Sequence, residues 1–497
     1  MQNLNESLQA KYPHLEIAIL PLSQVNKDNE SKRIDSEYFK KEYLENEERL
    51  LNLGSIKLEN FILKMAGGAT PLGANYLDIG VPFLRVQNIM QNYFNLNDIV
   101  YISKADDEIL KRSRLNRGDM LLTITGAYGK AAVVEQDLEN ANINQHSVKI
   151  ETKDINPYFL ATFINSKYGQ LQCDKKITGV TRPALDYQVI RDFLIPQFSQ
   201  DFQLEIQKLV QDSHKALEDS KRLYKEAQEL LYKELELDFK NPLESLLKSS
   251  LQAKKPSELA NINDISKKYP HLNISVRPLS QSLHKSGRLD SEYYQSKYDL
   301  METKIKDYKG GYCKLQNLVL NYSGGFAFSS DDYLENGDLA LIRINNIKNA
   351  NLDMSNAVYL KKQCEKLSPK DKVKQGDILI SMSGSIGLSC LIKENIEAMT
   401  NQRILKISIK DFSSDVLVLL LNSIFCKLQF ERIGTGGVQT NISSNDILNI
   451  LIPKINPATQ EQIALKIQKS FTLRTKSKDL LQNAKIKLEN AIEKGTK

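Results

Sequence analysis

The sequence predicts a mixed α/β fold of the α+β kind, in which a globular domain followed by a long helix occurs twice in tandem. Two observations support this prediction. The run KYPHL, closely followed by PLSQ, begins at Lys11 and again at Lys268, 257 residues further on. A charged, leucine-bearing helical pattern covers about residues 204–236, and a second one closes the chain at 463–493. Because a period this long lies far outside the range of solenoid repeats, we interpret it as one duplication of a complete unit.

The duplication extends through segments that share few identical residues. Their spacing stays between 255 and 258 residues, which leaves room for short insertions only. The paired segments are RIDSEYF with RLDSEYY, FLRVQNI with LIRINNI, GDMLLTITGAYG with GDILISMSGSIG, and IRDFLIP with ILNILIP. The alignment predicts six segments, which are an N-terminal extended piece with an acidic helix (1–54), a first globular domain (55–200), a first long helix (201–237), a linker with the second extended piece and helix (238–309), a second globular domain (310–456) and a second long helix (457–497).

Composition limits the class of protein. The 497 residues include 67 Lys and Arg against 61 Asp and Glu, a balance that permits nucleic-acid binding through a local basic face without requiring it. The five cysteines include no CxxC pair and have no close histidine, so we expect no disulfide framework, no zinc site and a reducing environment. The sequence has no signal-peptide pattern and no run of about 18 apolar residues, so we expect a cytoplasmic protein without membrane contact.

Local patterns predict the elements of each copy. In the first copy an extended piece ends at Pro21, and an acidic helix begins at Asp35 or Ser36 and ends before Gly54. The globular domain contains the strand-like runs VPFLRV, DMLLTIT, AAVVE, HSVKIE and IRDFLIP, with Gly, Asn and Pro turns and one helix near 157–168. After the first long helix, residues 238–265 are polar and lack a counterpart at the end of the chain, so we interpret them as the linker of the duplication.

Both long helices carry two columns of residues with a seven-residue spacing, which is typical of a coiled coil. One column is large and the other is small, and a small column lets two helices approach closely. We therefore predict that the two helices pair within one molecule as an antiparallel coiled coil; the alternative is that each packs separately on its own domain. The large column is Val210, Leu217, Tyr224 and Leu231 in the first helix and Ile467, Arg474, Leu481 and Leu488 in the second. The small column is Ser213, Ser220 and Ala227 in the first helix and Ser470, Ser477 and Ala484 in the second.

The sequence contains none of the common catalytic motifs. It has no P-loop GxxxxGK[ST], no HExxH, no GxSxG and no paired nucleophilic Cys and His. The segment from Asn156 to Phe159 looks like the NPPY loop of DNA adenine methyltransferases, but it lacks the second proline and no Gly-rich cofactor turn precedes it. We interpret it as the start of a helix with proline in the first turn.

A polar set recurs at equivalent places in the two copies, at strand ends, in the GD-containing hairpins and in loops. Arg pairs with guanine and Asn or Gln with adenine through two hydrogen bonds, whereas Ser, Thr and Lys suit phosphates. Singly, such residues more often serve local turns or surface ion pairs, and only their recurrence gives them weight. The candidates for DNA contact are Thr70, Arg85, Gln87, Asn88, Thr123, Thr125, Tyr128, Lys130, Gln145, Thr181 and Arg182 in the first copy, and Arg343, Asn345, Asn346, Ser381, Ser383, Ser385, Gln402, Gln439 and Thr440 in the second.

With these features the sequence resembles the specificity subunits of type I restriction-modification systems. The motifs that carry the resemblance are GGATP at Gly67 followed by FLRVQNI, the GD[MI]L…GxxG hairpins, the Asn-Gln pairs at Asn144 and Asn401, and the run GVQTNISSNDILNILIP…QEQI. The first copy departs from the pattern at TRPALDYQVIRDFLIPQFSQDFQLEI. The RxDSEY[FY] segments at Arg33 and Arg288 also resemble those of separate specificity subunits in type IIB-like systems.

The resemblance implies that each globular domain is a target-recognition domain that reads one half of a bipartite target in double-stranded DNA. It implies that the helix pair, roughly 50 Å long at 1.5 Å per residue, separates the half-sites by on the order of 15 base pairs. It further implies docking of two modification (methyltransferase) subunits, which bind S-adenosylmethionine, and association with a restriction subunit. This chain would bind no cofactor and catalyse nothing. Two alternatives stay open at this point: a self-contained or degenerate methyltransferase built around Asn156 to Phe159, and a structural adaptor that joins two proteins through its coiled coil.

Overall fold

The structure contains two units with matching sheets, each of which holds the globular domain of one sequence copy. The structure, a computed structural model, describes residues 2–26, 29, 32–71, 73, 76–179, 183–252, 279–282, 287–435 and 440–495. One unit comprises residues 1–219 and 473–497, and the other comprises residues 220–472. Each unit therefore contains one globular domain, together with part of each long helix.

The first unit contains a four-stranded antiparallel sheet, a three-stranded sheet with one parallel pair, and one two-stranded pair. In order across each sheet, the strands are Ile62–Gly67, Ser147–Thr152, Met120–Thr123 and Ala131–Val133; Val100–Ile102, Val81–Leu84 and Asn142–Ile143; and Ile56–Lys57 with Leu194–Ile195. The α-helices that begin in this unit are Gln2–Lys11, Leu22–Asn26, Lys41–Asn52, Lys104–Ile109, Pro157–Asn165, Lys167–Lys176, Tyr187–Arg191 and the first long helix, Gln200–Glu234.

The second unit repeats this topology and adds one strand and one short hairpin. Its strands, in sheet order, are Val319–Ser323, Ile404–Ile409, Ile378–Ser381 and Ser389–Leu391; Tyr333–Leu334, Val358–Leu360, Leu339–Ile342 and Ala398–Thr400; Tyr312–Lys314 with Leu451–Pro453; and Ile347–Lys348 with Asn351–Leu352. Its α-helices are Pro242–Gln252, Leu279–Gln281, Ser296–Lys306, Ser414–Leu421, Ile424–Ile433, Ser444–Leu448 and the second long helix, Pro457–Lys494. The predicted mixed fold, with the same arrangement in both copies, is confirmed.

The two long helices pack against each other in antiparallel fashion within each unit. In the first unit Ser213 Oγ donates to the carbonyl oxygen of Ser477 at 2.8 Å. In the second unit Ser470 Oγ donates to the carbonyl oxygen of Ser220 at 2.8 Å. All four serines are buried, and a side chain reaches the backbone of the facing helix only because the column is small. The predicted intramolecular coiled coil is confirmed, and the alternative of separately packed helices is wrong.

The large column of the helices also belongs to the cores of the domains. Val210 and Leu488 lie in the core of the first unit with Phe159, whereas Leu231 and Ile467 lie in the core of the second unit. Leu217, Tyr224 and Leu481 are half-buried at the edge of this packing. Because each fully buried aliphatic side chain contributes about 1.5–3 kcal/mol, the helices stabilise the domains as well as each other.

Several predicted boundaries are wrong. The acidic helix begins at Lys41 rather than near Ser36, because residues 36–39 form turns and Lys40 has an extended backbone, with φ −52° and ψ 143°. The single helix predicted near 157–168 is two helices that break at Ser166, whose Oγ accepts from the backbone N–H of Gly169.

Two further segments differ from the prediction. The predicted strand IRDFLIP is the end of helix Tyr187–Arg191 followed by the two-residue strand Leu194–Ile195. Residues 242–252 of the predicted linker form a helix that buries Leu246, whereas residues 253–265 lie outside the described residues. The interpretation of Asn156 as a helix start is confirmed, because its side chain accepts from the backbone N–H groups of Tyr158 and Phe159.

A half-buried polar contact in the first unit connects the first long helix to the globular domain. His214 Nδ1 lies 3.2 Å from Glu135 Oε1, and Nε2 lies 2.6 Å from the carbonyl oxygen of Asn92. Both partners accept hydrogen bonds, so the doubly protonated imidazolium satisfies both. Burial lowers the pKa of His214, but the bonds to Glu135 and Asn92 outweigh it, and the net pKa is raised. In the second copy of the sequence, the residue that aligns with His214 is Phe471.

Small residues at the helix contact should be essential for stability. We expect Ser213→Leu to lower the free energy of unfolding by about 1–3 kcal/mol, because a larger side chain cannot fit against Ser477. Ser213→Ala should cost only about 1 kcal/mol, the value of the lost hydrogen bond. Chemical denaturation measures both, and Asp212→Leu on the exposed side of the same turn is the control. Equal losses from Ser213→Leu and Asp212→Leu would contradict the close approach.

The His214 contact predicts a pH dependence of stability. Because the folded pKa is raised, the stabilisation is fully present below the unfolded value of about 6.5 and is lost as the pH rises through the folded pKa. The stability difference between wild type and His214→Phe should therefore shrink by about 1 kcal/mol from pH 5.5 to pH 8.5. Urea unfolding at a series of pH values measures it, and a difference that is constant or grows over this range would contradict the assignment.

Candidate nucleic-acid interface

Four loops of the first globular domain meet at one end of its four-stranded sheet. Backbone hydrogen bonds connect them: Gly68 N donates to Ser147 O at 3.2 Å, Ile124 N to His146 O at 2.9 Å and Leu185 N to Ile124 O at 2.9 Å. At Gly68 a Cβ would lie 2.2 Å from the carbonyl oxygen of Ile143, so only glycine permits this approach. We call this group the first loop cluster, which consists of residues 67–71, 124–130, 144–146 and 177–185 as far as they are described.

The second globular domain has the same arrangement. Gln402 N donates to Phe326 O at 3.0 Å, Met382 N to Arg403 O at 2.9 Å and Gly384 N to Thr440 O at 3.1 Å. At Gly325 a Cβ would lie 2.0 Å from the carbonyl oxygen of Asn401. The second loop cluster consists of residues 324–328, 382–387, 401–403 and 434–442 as far as they are described. The same close contact between a glycine and an Asn-Gln pair thus recurs in both domains.

The polar strand ends adjoin these clusters. Asn144 N donates to Leu84 O at 3.1 Å in the first domain, and Asn401 N donates to Ile342 O at 2.9 Å in the second. Arg85 and Arg343 directly follow these strand ends. The structure therefore brings the predicted Arg, Gln and Asn positions together with the Asn-Gln pairs, although they are far apart in sequence.

Asn88 and Asn346 hold these strand ends in shape. Each is buried, and its side-chain oxygen accepts from the backbone N–H of the preceding arginine at 2.9 Å. Each side-chain nitrogen donates to a loop carbonyl oxygen at 2.9 Å, that of Asn95 or Asp353. Because the side-chain amides of these two residues are hydrogen-bonded to the backbone, they position the loop and are not available to a ligand.

The two arginines are half-buried. Arg85 Nη2 donates to the carbonyl oxygen of Asp98 at 2.6 Å, and the guanidinium lies 5.7 Å from the centre of the Tyr76 ring. Within the described part of the chain, Nε of Arg85 and Nε of Arg343 are both buried without a hydrogen-bond partner. The Nε atoms of Arg114 and Arg432 are buried and unpaired in the same way, so this feature does not set Arg85 and Arg343 apart.

The hydroxyl candidates in the hairpins have mostly internal roles. Thr123 Oγ1 donates to Ala127 O at 2.7 Å, and Ser381 Oγ donates to Ser385 O at 2.5 Å, so both buried hydroxyls close the hairpin turn. Ser383 is buried as well, and Thr125 is half-buried in a bridge to Ala184. These residues shape the loop clusters from inside.

The other candidates differ in exposure. Tyr128 is half-buried and donates to Asp174 at 2.9 Å; burial and this bond raise the pKa of Tyr128 to about 12. Thr70 is half-buried and donates to Gln145 Oε1. Lys130 and Thr440 are also half-buried, and the exposed candidates are Gln87, Gln145, Asn345, Ser385 and Gln402. Thr181, Arg182 and Gln439 lie outside the described residues.

The structure adds one residue that sequence reasoning missed. Arg403 is exposed next to Gln402, has a left-handed backbone with φ 72°, and donates from Nη1 to Asn441 Oδ1 at 2.6 Å. Its counterpart in the first copy is His146, so the comparison of the two copies gave no signal. Among the described residues, the exposed ends of both clusters are thus rich in amides, and Arg403 joins two loops of the second cluster.

Other kinds of site have little support in the described residues. No group of three or more His, Cys, Asp or Glu side chains there could hold a metal ion, and no described helix is long and apolar enough to span a bilayer. The five cysteines are free thiols, and burial raises the pKa of Cys173, Cys390 and Cys426.

The different roles of Asn88 and Gln87 can be tested in the free protein. We expect Asn88→Ala to lower the free energy of unfolding by about 1–3 kcal/mol, because it removes two hydrogen bonds of a buried side chain to partly buried backbone groups. Gln87→Ala, which changes an exposed side chain, should alter it by less than about 0.5 kcal/mol. Urea denaturation of both variants measures this, and similar losses would contradict the distinction.

Comparison with known proteins finds similarity to one family over the second half of the chain. Residues 316–489 match the model of the type I restriction modification DNA specificity domain. The type I restriction enzyme EcoBI specificity subunit of Escherichia coli is 32% identical over 134 residues, which make up 27% of this chain and only 28% of that subunit.

Solved structures align over most of the chain at low similarity. The S subunit of a type I restriction-modification system from M. genitalium aligns over 89% of this chain and 95% of its own, with 10% identity and a TM-score of 0.41. The HsdS subunit from Thermoanaerobacter tengcongensis aligns over 88% and 95%, with 14% identity and a TM-score of 0.26. The sequence match is therefore confined to residues 316–489, about a third of the chain, which are similar to the type I restriction modification DNA specificity domain, as the motifs of the second copy indicate.

Proposed function

We propose that this chain is the DNA specificity subunit of a type I restriction-modification complex and that each globular domain reads one half of a bipartite DNA target. The match of residues 316–489 to the DNA specificity domain carries the proposal. The first domain has the same four-stranded antiparallel sheet and an equivalent loop cluster, which supports a second reading domain in the same chain. The exposed residues differ between the domains, so the two half-sites differ in sequence.

The exposed ends of the loop clusters supply the reading groups. Gln87 and Gln145 in the first domain, and Asn345 and Gln402 in the second, present amides that pair with adenine through two hydrogen bonds. Arg85 and Arg343 stand beside them with guanidinium groups that suit guanine or phosphate. The buried Asn and hydroxyl side chains hold these groups in place, and this separates the framework from the reading residues.

The chemistry belongs to partner subunits. The chain docks two adenine methyltransferase subunits, which bind S-adenosylmethionine, and it works in the cytoplasm without catalysing a reaction or binding a cofactor itself. A restriction subunit completes the complex, and the long helices set the spacing of the two half-sites.

Two observations weigh against the alternatives. A methyltransferase would use the Asn156 side chain at the methyl acceptor, yet here that side chain caps a helix and bonds to Gln207. An adaptor would offer its coiled-coil faces to other proteins, yet the small and large columns are largely buried within each unit.

Paired substitutions test the assignment of one half-site to each domain. We expect Gln87→Ala with Gln145→Ala to relax methylation at one half of a bipartite motif, and Asn345→Ala with Gln402→Ala to relax the other half. Each lost bidentate contact should cost about 1–3 kcal/mol, or roughly 5- to 150-fold in discrimination. The measurement is long-read mapping of adenine methylation in cells that express each variant with the partner methyltransferase.

The control is Asn60→Ala. Asn60 is an exposed amide beyond the start of strand Ile62–Gly67, and the first loop cluster lies at the other end of that strand. The methylation pattern in cells that express the Asn60→Ala variant should match that of wild type.

Exchange of residues 55–200 for those of a related subunit should replace one half of the motif and keep the other. Deletion of the gene without loss of any methylated motif, in a cell with an active methyltransferase partner, would rule out the proposed function.

A further inference from the structure

The RxDSEY segment before each globular domain makes the same contacts in both units. In the first unit Arg33 Nε and Nη2 donate to the two carboxylate oxygens of Asp35 at 2.7 and 2.6 Å. The guanidinium carbon lies 5.1 Å from the centre of the Tyr38 ring, and Lys175 Nζ lies 5.0 Å from the same centre. Lys175 is buried and pairs with Glu47 at 2.6 Å. One aromatic ring is thus contacted by two cations, each balanced by its own carboxylate.

The second unit repeats this set with one change of residue type. Arg288 bonds to both carboxylate oxygens of Asp290 at 2.7 and 2.9 Å. Its guanidinium carbon lies 4.8 Å from the centre of the Tyr293 ring, and that of Arg432, the counterpart of Lys175, lies 4.7 Å from it. Arg432 in turn pairs with Glu302 at 3.0 Å. The cation is kept although the residue differs, so the contact has a common role in both units.

The same two arginines also hold the start of a recognition loop. Arg33 Nη1 donates to the carbonyl oxygen of Ile177 at 3.2 Å, and Arg288 Nη1 donates to that of the equivalent residue, Gly434, at 3.3 Å. The residue after each carbonyl opens a loop that is closed by a pair of backbone hydrogen bonds. These bonds join Thr178 with Ala184 at 3.0 and 2.9 Å, and Thr435 with Asn441 at 3.0 and 2.7 Å.

We infer that Arg33 and Arg288 are positioning residues for DNA specificity, each of which fixes the start of one recognition loop against the segment that precedes its domain. The inference rests on the proposed function for its DNA part only. A guanidinium can make a two-bond contact with Asp and a third bond to a carbonyl oxygen in one fixed geometry, which an ammonium cannot. The described ends of each loop contact the hairpin of the same loop cluster, because Ala184 bridges Thr125 and Asn441 bridges Ser383, so a shift at the start of the loop also moves that hairpin.

Amide hydrogen exchange in the DNA-free protein tests the anchoring. We expect Arg33→Ala to speed exchange at Thr178 and Ala184 by about tenfold or more and to leave Thr435 and Asn441 unchanged. Arg288→Ala should do the reverse, so each variant is the control for the other. Arg114→Ala removes an arginine paired with Asp107 at 2.6 Å, has no contact with either loop in the described residues, and should change neither. If Arg33→Ala fails to fold, Arg33→Lys keeps a cation near Tyr38 without the three-bond geometry and should speed exchange at the same two amides.

Methylation mapping with the partner methyltransferase tests the effect on specificity. Arg33→Ala should relax one half of the motif and Arg288→Ala the other, whereas total methylation of the intact motif should fall less than discrimination does. Unchanged exchange in both variants would overturn the anchoring. Faster exchange with unchanged discrimination would overturn the role in specificity. A wild-type complex without any sequence preference would overturn the proposed function and the specificity role together, while the exchange experiment would still decide the anchoring.

Discussion

The close approach of the two long helices is the constraint on which the rest of the structure depends. Ser213 bonds to the backbone of Ser477, and Ser470 bonds to the backbone of Ser220, so the facing backbones are joined by side chains of two heavy atoms. Larger residues in this column would separate the helices. They would then withdraw Val210 and Leu488 from the core of the first unit and Leu231 and Ile467 from the core of the second. The same packing contacts therefore determine both the pairing of the helices and the stability of the domains.

Much of this arrangement could be predicted from sequence because it depends on periodicity. A column of Ser, Ser and Ala at seven-residue intervals, present twice, specifies both a close helix contact and its partner. Strands such as Met120–Thr123 and Ile378–Ser381 were predictable for another local reason, because they are apolar runs bounded by glycine turns. The helix boundaries were less predictable from sequence. The break at Ser166 depends on a close approach of Gly169 to the carbonyl oxygen of Phe163, which no local pattern reveals.

The candidate site shows a different limit. Sequence comparison of the two copies selects residues that recur, but recurrence does not separate a residue that faces a ligand from one that holds the loop. Asn88 and Gln87 are neighbours in the same motif, yet the amide of Asn88 is used by backbone groups and the side chain of Gln87 is exposed. Only the three-dimensional contacts assign these roles. Arg403 illustrates the converse, since it lies at the loop cluster but has a histidine as its counterpart.

The duplication gives the helix contact a special property. Ser213 in the first copy is equivalent to Ser470 in the second, and Ser220 is equivalent to Ser477. The bond from Ser213 to Ser477 and the bond from Ser470 to Ser220 are therefore images of one another under the repeat. A contact in which residue i of one copy meets residue j of the other, and j meets i, is the isologous kind that a single ancestral unit would make with a second copy of itself. Because the long helices make this contact, the exposed ends of the two loop clusters can differ between the copies without changing it.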